Sequence, residues 1–243
     1  MTEYDEIGKW YDLLYPELKQ SKYDFYNDLI KKNQPALEIG CGSGKLYLKY
    51  LEQGYDVYGL DISQIMIQSI IDKSTDLKPK LFHDNVVNMD LNKKFNLIYY
   101  PSNSITHHTS VNELIKVFEN CYNHLNDNGV FAFDLFVPSF DKINNYGEIN
   151  TLTKEIDDET HIIGKWSKII NKVEQLFNLN WMIINKNTGK KLLDENITLS
   201  LLPKQQIEIL LAKTGFSNYH FYNNFTNDEI NKDSSYYSVV AQK

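Results

Sequence analysis

Short apolar runs alternate with amphipathic stretches along the first half of the chain, and this alternation predicts its secondary structure. The apolar runs predict buried strands over residues 35–39, 55–60, 80–83, 95–100 and 130–137. The amphipathic stretches predict helices over residues 43–53, from an N-cap at Ser63 to about residue 73, and over 111–125. Alternating helices and strands, in which the strands lack a polar face, are typical of a parallel sheet in an α/β protein.

A different pattern begins after residue 139. Between residues 148 and 200, polar and apolar residues alternate, as in HIIGKWSKII and VEQLFNLNWMII. Together with the hairpin-turn signal Asn187-Thr188-Gly189, this alternation predicts antiparallel strands. The α/β pattern then returns, with a helix over residues 203–213 and strands over 216–222 and 236–241. We therefore predict an α/β domain that contains a strand-rich insertion.

Composition and charge narrow the classes of protein to which the 243-residue chain can belong. A hydrophobic fraction of 42%, with 13% aromatic residues, is enough to fill a core and argues against a disordered chain. A net charge of -7 argues against nucleic acid as a partner, because a long nucleic-acid footprint requires a basic stripe. The two cysteines, Cys41 and Cys121, supply neither a disulfide framework nor a zinc cluster.

The N-terminal stretch and the apolar runs predict the cellular location of the protein. The N-terminus, MTEYDEIGKWYDLLY, is acidic and aromatic, unlike a signal peptide. The longest apolar run, residues 130–138, contains Asp134 and is too short to span a bilayer. We therefore expect a cytoplasmic protein without a membrane partner.

Three glycines on alternate positions follow the first predicted strand, in the stretch EIGCGSG. Because Gly40, Gly42 and Gly44 have no side chains, ligand atoms can lie against the backbone, and amides at the helix N-terminus can face a carboxylate. The stretch is not a P-loop, because Leu46 stands where Ser or Thr is required. It is a poor dinucleotide fingerprint, because Lys45 stands where the third glycine or an alanine is required. On its own, the stretch is also compatible with a tight turn that binds nothing.

Acidic residues end or follow the next two predicted strands. Asp61 ends the second strand, VYGLD, where a carboxylate can accept hydrogen bonds from both hydroxyls of a ribose. Asp84 follows the third strand, LFHD, where it can accept a hydrogen bond from the exocyclic amine of adenine. The alternatives are structural, since Asp61 also precedes a helix N-cap and Asp84 also fits the start of an ordinary loop. With the glycine turn, the ribose interpretation of Asp61 is favoured.

The stretches EIGCGSG, GLD and HDN resemble the nucleoside-binding motifs of class I S-adenosylmethionine-dependent methyltransferases, and QQIEILLAKTGFSNYHFY resembles their last helix and the strand after it. The insertion and the tyrosine-rich N-terminus resemble a small-molecule branch that includes bacterial deoxyamino-sugar N-methyltransferases. The resemblance implies a Rossmann-like, doubly wound, mostly parallel seven-stranded sheet with an antiparallel final strand and an inserted antiparallel β subdomain. It divides the chain into a cofactor-binding domain, residues 1–140 and 201–243, and an insertion over 141–200 that covers the acceptor site. Residues 1–33 would form a helical lid.

The resemblance also implies which residues hold the methionine half of the cofactor. The backbone of the glycine turn would line it, Glu38 would hold the turn and the cofactor amine, and Tyr11 would reach the carboxylate. Tyr11 and Tyr15 are also spaced as one packed helical face, which leaves a structural alternative open. The residues assigned to the methionine half are Tyr11, Tyr15, Glu38, Gly40, Cys41, Gly42, and Tyr100 or Pro101, which would offer a backbone carbonyl.

The nucleoside half has a second set of implied contacts. Asp61 would accept from the ribose hydroxyls, with Ile62 against one face of the adenine and Met66 nearby. Asp84 and the backbone amide of Asn85 would recognise the adenine edge. For Met66, a place in the core is the more common alternative.

The acceptor half of the reaction has one candidate residue. Methyl transfer from a sulfonium is an in-line displacement, so the protein mainly aligns the acceptor and excludes water. His107, in the loop after the fourth predicted strand, resembles the acceptor-side His or Tyr of the sugar N-methyltransferases and would act as a base or orient the acceptor. The alternative is a loop histidine without chemistry. We expect no metal, because the adjacent His107 and His108 point apart and no third ligand has suitable spacing.

We therefore predict an S-adenosylmethionine-dependent methyltransferase that acts on a small polar acceptor, with an amine as one candidate, and releases S-adenosylhomocysteine. Two alternatives stay open, a methyltransferase acting on RNA or protein and a non-catalytic regulator that binds S-adenosylmethionine. A nicotinamide oxidoreductase is a remote third. The sequence is compatible with either a monomer or a homodimer.

Overall fold

The computed structural model describes residues 3–15, 17–137, 152–155, 161–171 and 173–243, and in these residues eleven strands form two sheets. The strands are β1 (Ala36–Ile39), β2 (Val57–Asp61), β3 (Leu81–His83), β4 (Phe95–Tyr100), β5 (Leu125–Phe136), β6 (Leu152–Glu155), β7 (His161–Asn171), β8 (Leu176–Asn185), β9 (Lys191–Ser200), β10 (Asn218–Asn223) and β11 (Tyr236–Gln242). The larger sheet has seven strands, in the order β10-β11-β5-β4-β1-β2-β3. Its strands from β3 to β5 pair in parallel, whereas β11 is antiparallel to both of its neighbours. The predicted seven-stranded sheet with an antiparallel final strand is confirmed.

Helices cover both faces of this sheet. They are α1 (Glu3–Gly8), α2 (Tyr11–Leu14), α3 (Gln20–Lys32), α4 (Tyr47–Glu52), α5 (Gln64–Lys73), α6 (Val111–His124) and α7 (Lys204–Thr214), with a 3-10 turn at Ser104–His107. Ser63 caps α5 as predicted, because its hydroxyl accepts a hydrogen bond from the Met66 amide at 3.4 Å. Among the described helices, none has both the length and the apolar character that a bilayer crossing requires.

Two elements differ from their predicted bounds for identifiable backbone reasons. The helix predicted over residues 43–53 begins only at Tyr47, because Gly42 and Gly44 have φ values of +53° and +86°, which a right-handed helix does not accommodate. The strand predicted over residues 130–137 begins at Leu125. The stretch Asp127-Asn128-Gly129, whose residues predict a turn between helix and strand, lies within the strand as an irregularity, with Asn128 at φ +61° and a register shift opposite β4.

Two apolar layers enclose the central sheet. The layer that contains α6 and α7 includes Phe118, Phe131, Phe133, Ile207 and Leu211. The layer on the other face contains α3, α4 and α5 and includes Tyr26, Ile30, Tyr47, Tyr50 and Ile70. Because both faces are covered, the parallel strands are mostly apolar, and a buried acid in such a strand requires a reason.

The second sheet consists of β6, β7, β8 and β9, each antiparallel to the next, which confirms an inserted antiparallel sheet. The predicted domain boundary at residue 140 lies outside the described residues. Helices α1 and α2 pack against this sheet, where Ile7 and Leu14 join a buried cluster with Trp181 and Ile197. The N-terminal helices therefore lie between the insertion and the larger sheet.

Candidate active site

Two cavities adjoin at the carboxyl ends of the central parallel strands. The first has a volume of about 420 Å³ and the second about 340 Å³. Tyr11, Gly40, Ser104 and His107 line both cavities. This edge of the sheet is where strand order reverses between β1 and β4, which is where doubly wound folds bind their ligands.

Every site residue predicted from the sequence lines one of these cavities. The first cavity is lined by Tyr11, Gly40, Gly42, Asp61, Ile62, Met66, Asp84, Asn85, Tyr100 and His107. The second is lined by Tyr11, Tyr15, Glu38, Gly40, Cys41, Pro101 and His107. The structure therefore brings the predicted residues together, while their individual roles stay predictions.

The glycine turn is shaped by backbone conformation and by close neighbours. Gly40 has a φ of +63°, and a Cβ atom there would lie 3.3 Å from the Tyr100 ring. Gly42 has a φ of +53°, and a Cβ atom there would lie 3.7 Å from the Tyr11 ring. Because L side chains rarely adopt such φ values, these positions favour glycine, and the turn keeps its backbone open to the cavities.

Asp61 connects the glycine turn to the first cavity. Its Oδ2 accepts a hydrogen bond from the Gly42 amide at 2.7 Å, and its Oδ1 accepts one from the Ser63 amide at 2.9 Å. Burial raises the pKa of Asp61, and these backbone hydrogen bonds oppose that rise. A carboxylate has about four acceptor positions, so Asp61 retains capacity for the hydroxyls of a ligand.

The predicted adenine contacts lie next to Asp61. The Asp84 Oδ1 accepts a hydrogen bond from the Asn85 amide at 2.7 Å, so that amide has a partner within the protein. The Asn85 amide would have to give up its hydrogen bond to Asp84 in order to donate one to an adenine base. Met66 is only 1% exposed, and it belongs to the core as well as to the cavity wall.

Glu38 is a buried acid in the middle of the sheet. It is 2% exposed, and its Oε2 accepts a hydrogen bond from the Tyr99 hydroxyl at 2.8 Å. Burial raises the pKa of Glu38 to about 8, even though the Tyr99 hydrogen bond lowers it. The carboxyl group is therefore mostly protonated at neutral pH before a cationic ligand reaches it.

The N-terminal tyrosines lie between the cavities and the inserted sheet. The Trp181 indole Nε1 donates a hydrogen bond to the Tyr15 hydroxyl at 3.0 Å, and the Tyr11 and Tyr15 rings have centroids 4.9 Å apart. Burial raises the pKa of Tyr15 to about 12, so its hydroxyl is neutral. These two tyrosines therefore pack within the N-terminal helical segment and also line the cavity.

Asp12 fastens the N-terminal helices to the glycine turn, and the sequence did not reveal it. Its Oδ1 accepts from the Ser43 hydroxyl at 2.5 Å, and its Oδ2 forms an ion pair with Lys73 at 2.5 Å. Lys45 lies 3.6 Å from the same carboxylate. Burial acts to raise the pKa of Asp12, but the hydrogen bonds from Lys73 and Ser43 hold it below its ordinary value.

Replacing Asp12 by asparagine should loosen the N-terminal helices and weaken S-adenosylmethionine binding about three- to tenfold at low salt, since part-exposed ion pairs are worth about 1 kcal/mol each. Added salt should weaken binding in the wild type more than in the variant. Calorimetric titrations at two salt concentrations measure both effects. Glu6→Gln, which removes an exposed ion pair with Lys9, is the control. Equal salt dependence in wild type and Asp12→Asn would refute this role.

The two adjacent histidines are neutral groups at the cavity walls. Burial lowers the pKa of His107 to about 4, with a contribution from neighbouring His108. Burial also lowers the pKa of His108 to about 4, and its Nε2 lies 3.2 Å from the Tyr100 hydroxyl oxygen. His107 lines both cavities, and its neutral imidazole can accept a hydrogen bond there. Within the described part of the chain, no three His, Cys, Asp or Glu side chains are grouped as metal ligands.

The second cavity also contains charged residues that the sequence did not assign to a site. Lys22 and Asp134 both line it, and their side chains form an ion pair at 3.7 Å. Asp134 is fully buried on β5. The available signal was its position as an acid inside the apolar run of residues 130–138. Its partners lie far away in the sequence and could not be predicted.

Comparison with known proteins identifies a domain that contains much of this site. Residues 36–129 match the sequence family described as "Methyltransferase domain". A curated relative from Bacillus subtilis (strain 168), named "Putative methyltransferase YqeM", is 23% identical over 248 residues, which cover 99% of this chain and 97% of the relative. The predicted resemblance to methyltransferases is therefore confirmed, whereas the predicted domain bounds stay a prediction.

Solved structures of similar fold cover nearly the whole chain. An S-adenosylmethionine-dependent methyltransferase from Clostridium acetobutylicum ATCC 824 superposes with a TM-score of 0.80 at 22% identity, over 99% of both chains. The sugar N-methyltransferase KedS8 from Streptoalloteichus sp ATCC 53650 superposes with a TM-score of 0.72 at 17% identity, over 96% of this chain and 92% of that one. At these identities the similarity establishes the Rossmann-like fold.

Proposed function

We propose that this S-adenosylmethionine-dependent methyltransferase transfers its methyl group to a small polar acceptor, with an amine as the methylated group. The nucleoside half of the cofactor would occupy the first cavity, its methionine half would extend through the junction into the second, and the acceptor would occupy the rest of the second. The shared wall of the adjoining cavities is the main support, because a methyl group at that junction would face both compartments. The predicted nucleoside contacts, Asp61 and Asp84, line only the first cavity of the two.

Three observations support a small acceptor. The second cavity has about 340 Å³, within the range of small-molecule sites. Leu179 and Leu199, on two strands of the insertion, line it and support the proposal that residues 141–200 cover the acceptor. The fold also matches KedS8, which is described as a sugar N-methyltransferase.

The reaction requires alignment more than proton transfer. The lone pair of the acceptor nitrogen attacks the methyl carbon, the carbon–sulfur bond breaks, and S-adenosylhomocysteine leaves with the electron pair on sulfur. A neutral amine becomes cationic and then releases its proton to water or to a nearby base. An imidazole with a pKa of about 4 is a weak base, so we assign His107 to orienting the amine by accepting a hydrogen bond from it.

Replacing His107 by alanine should lower kcat/KM for methyl transfer about 10- to 100-fold, because the acceptor loses a fixed hydrogen-bond partner. The S-adenosylmethionine Kd should change less than about threefold, which separates acceptor alignment from cofactor binding. His220→Ala is the matched control, since His220 is exposed on β10 and lines neither cavity. Wild-type transfer by His107→Ala would remove the orienting role and leave the enzyme class intact.

The acceptor class is tested by transfer of radiolabelled methyl groups from S-adenosylmethionine to separate panels of amino sugars, small amines, small alcohols, RNA and proteins. Transfer to an amine-containing small molecule supports the proposal. Transfer to RNA or protein alone would replace it with the macromolecular alternative. Tight S-adenosylmethionine binding without transfer to any panel would favour a non-catalytic regulator.

A further inference from the structure

Asp134 is a buried carboxylate whose hydrogen bonds converge on one loop. It is fully buried within an otherwise apolar stretch of β5, where an uncompensated charge would be costly. Its Oδ1 accepts from the Ser102 amide at 2.8 Å, and its Oδ2 accepts from the Asn103 amide at 3.2 Å. From α3, the Tyr26 hydroxyl donates to Oδ1 at 2.7 Å. Asp134 thus joins β5 and α3 to the loop that follows β4.

The two residues held by Asp134 have an uncommon backbone conformation. Ser102 and Asn103 are consecutive residues with φ values of +66° and +62°. Asparagine tolerates this left-handed region, whereas serine adopts it rarely. Such conformations persist where the surrounding structure imposes them, and they concentrate at functional sites. The Asn103 side chain adds a second restraint, because its Oδ1 accepts from the Phe136 amide at 3.1 Å.

The restrained loop forms part of the wall between the cavities. Residues 101–104 all line the second cavity, and Ser104 also lines the first. The 3-10 turn that begins at Ser104 carries His107 to the shared wall. A loop that relaxed out of the left-handed region would shift this wall and the adjoining end of β4, where the carbonyl of Tyr100 or Pro101 was predicted to meet the cofactor amine.

We infer that Asp134 is a positioning residue that holds Ser102 and Asn103 of loop 101–104 in the left-handed conformation and thereby shapes the wall between the two cavities. Its effect on cofactor affinity rests on the proposed binding of S-adenosylmethionine across the two cavities, whereas its effect on the loop does not. The ion pair with Lys22, at 3.7 Å, and the hydrogen bond that Lys22 donates to the Ser102 hydroxyl at 3.1 Å support the same arrangement from α3.

Asp134→Asn replaces one acceptor oxygen with an amide donor, so one of the two loop amides loses its acceptor and faces another donor. In the cofactor-free protein, hydrogen exchange over residues 101–108 should accelerate about tenfold, while exchange in β1 should stay unchanged. The S-adenosylmethionine Kd should rise about tenfold. Equal acceleration in the loop and in β1, or no acceleration in the loop, would overturn the inference. If the wild type binds no S-adenosylmethionine, the proposed function fails and the exchange measurement still tests the loop.

Adding Ser102→Gly to Asp134→Asn distinguishes positioning from direct contact. Glycine adopts positive φ without strain, so the double variant should recover at least about threefold of the lost S-adenosylmethionine affinity. No recovery would indicate that Asp134 contacts the ligand itself and would overturn the positioning role. If Asp134→Asn does not fold, Ser102→Val makes the test with Asp134 intact, because a β-branched residue is strongly disfavoured at positive φ. Wild-type loop exchange and affinity in Ser102→Val would contradict the inference.

Discussion

Replacing Asp61 by alanine is expected to weaken S-adenosylmethionine binding about 100-fold or more. Two effects contribute to this loss. The variant loses an acceptor for the ribose hydroxyls, and hydrogen bonds to charged groups are worth about 1.5–3 kcal/mol each. It also frees the buried amides of Gly42 and Ser63, which donate to this carboxylate in the wild type, so the glycine turn loses a restraint.

Isothermal titration with S-adenosylmethionine measures the effect of Asp61→Ala, and circular dichroism establishes that the variant is folded. Asp56→Ala is the matched control, because Asp56 lies just before the opposite end of β2 and pairs with Lys80 near the surface. It should bind the cofactor as the wild type does. A folded Asp61→Ala protein with wild-type affinity would exclude the ribose assignment. An equal loss of affinity in both variants would show that removing either acid near β2 weakens binding, without a specific role for Asp61.

Most residues that the sequence identified lie at the end of a strand or directly after it, whereas Tyr11, Tyr15, Met66 and His107 lie on helices or beside them. Gly40, Asp61, Asp84 and Tyr100 are recognisable because apolar runs predict strands, and parallel strands bring their carboxyl ends to one edge. Local pattern therefore predicted the parallel sheet, and the resemblance carried by these residues assigned most of the proposed cofactor contacts. The predicted start of α4 was wrong because the conformation of the glycines, and not apolar periodicity, sets where that helix begins.

The residues that the sequence did not identify act through partners far away along the chain. Asp134 is 108 positions from Tyr26, and Asp12 is 61 positions from Lys73. Side-chain pairing over such separations depends on how elements pack, and local periodicity does not report packing. Asp12 connects the N-terminal helices to the glycine turn, and Asp134 connects the loop after β4 to β5 and α3. The residues proposed to contact the cofactor were thus easier to identify from the sequence than the two acids whose partners are distant.

The ionised carboxylate of Glu38 should destabilise the folded protein but support cofactor binding. Substitution by glutamine is expected to separate these two effects. In the free protein its pKa is about 8, above the ordinary value of 4.5, so the folded state holds this proton more tightly than the unfolded state. The proton held by Glu38 contributes its full stabilisation of the folded state below about pH 4.5, and this contribution is lost as pH rises through about 8. Glutamine stays neutral and still accepts from Tyr99. Its Tm should therefore exceed that of the wild type by about 3 °C or more at about pH 9, and the difference should disappear near pH 5.

The affinity of the wild type for the cofactor should rise with pH, whereas its stability should fall. If Glu38 meets the cofactor amine, the bound cation favours the carboxylate, and Glu38 must release its proton when binding occurs near pH 7. Wild-type affinity should then rise with pH up to about 8, by as much as tenfold per unit. Glu38→Gln lacks this contribution, so at about pH 8 it should bind about 10- to 100-fold more weakly.

Titrations in two buffers with different ionisation enthalpies count the protons released, and the difference between wild type and Glu38→Gln cancels the ionisation of the ligand itself. We expect close to one additional proton to be released by the wild type near pH 7, because a pKa of about 8 leaves the free carboxyl mostly protonated. Equal proton release by the two proteins would place the cofactor amine away from Glu38. Its burial would then serve only the glycine turn, and the more stable glutamine variant should bind S-adenosylmethionine as well as the wild type.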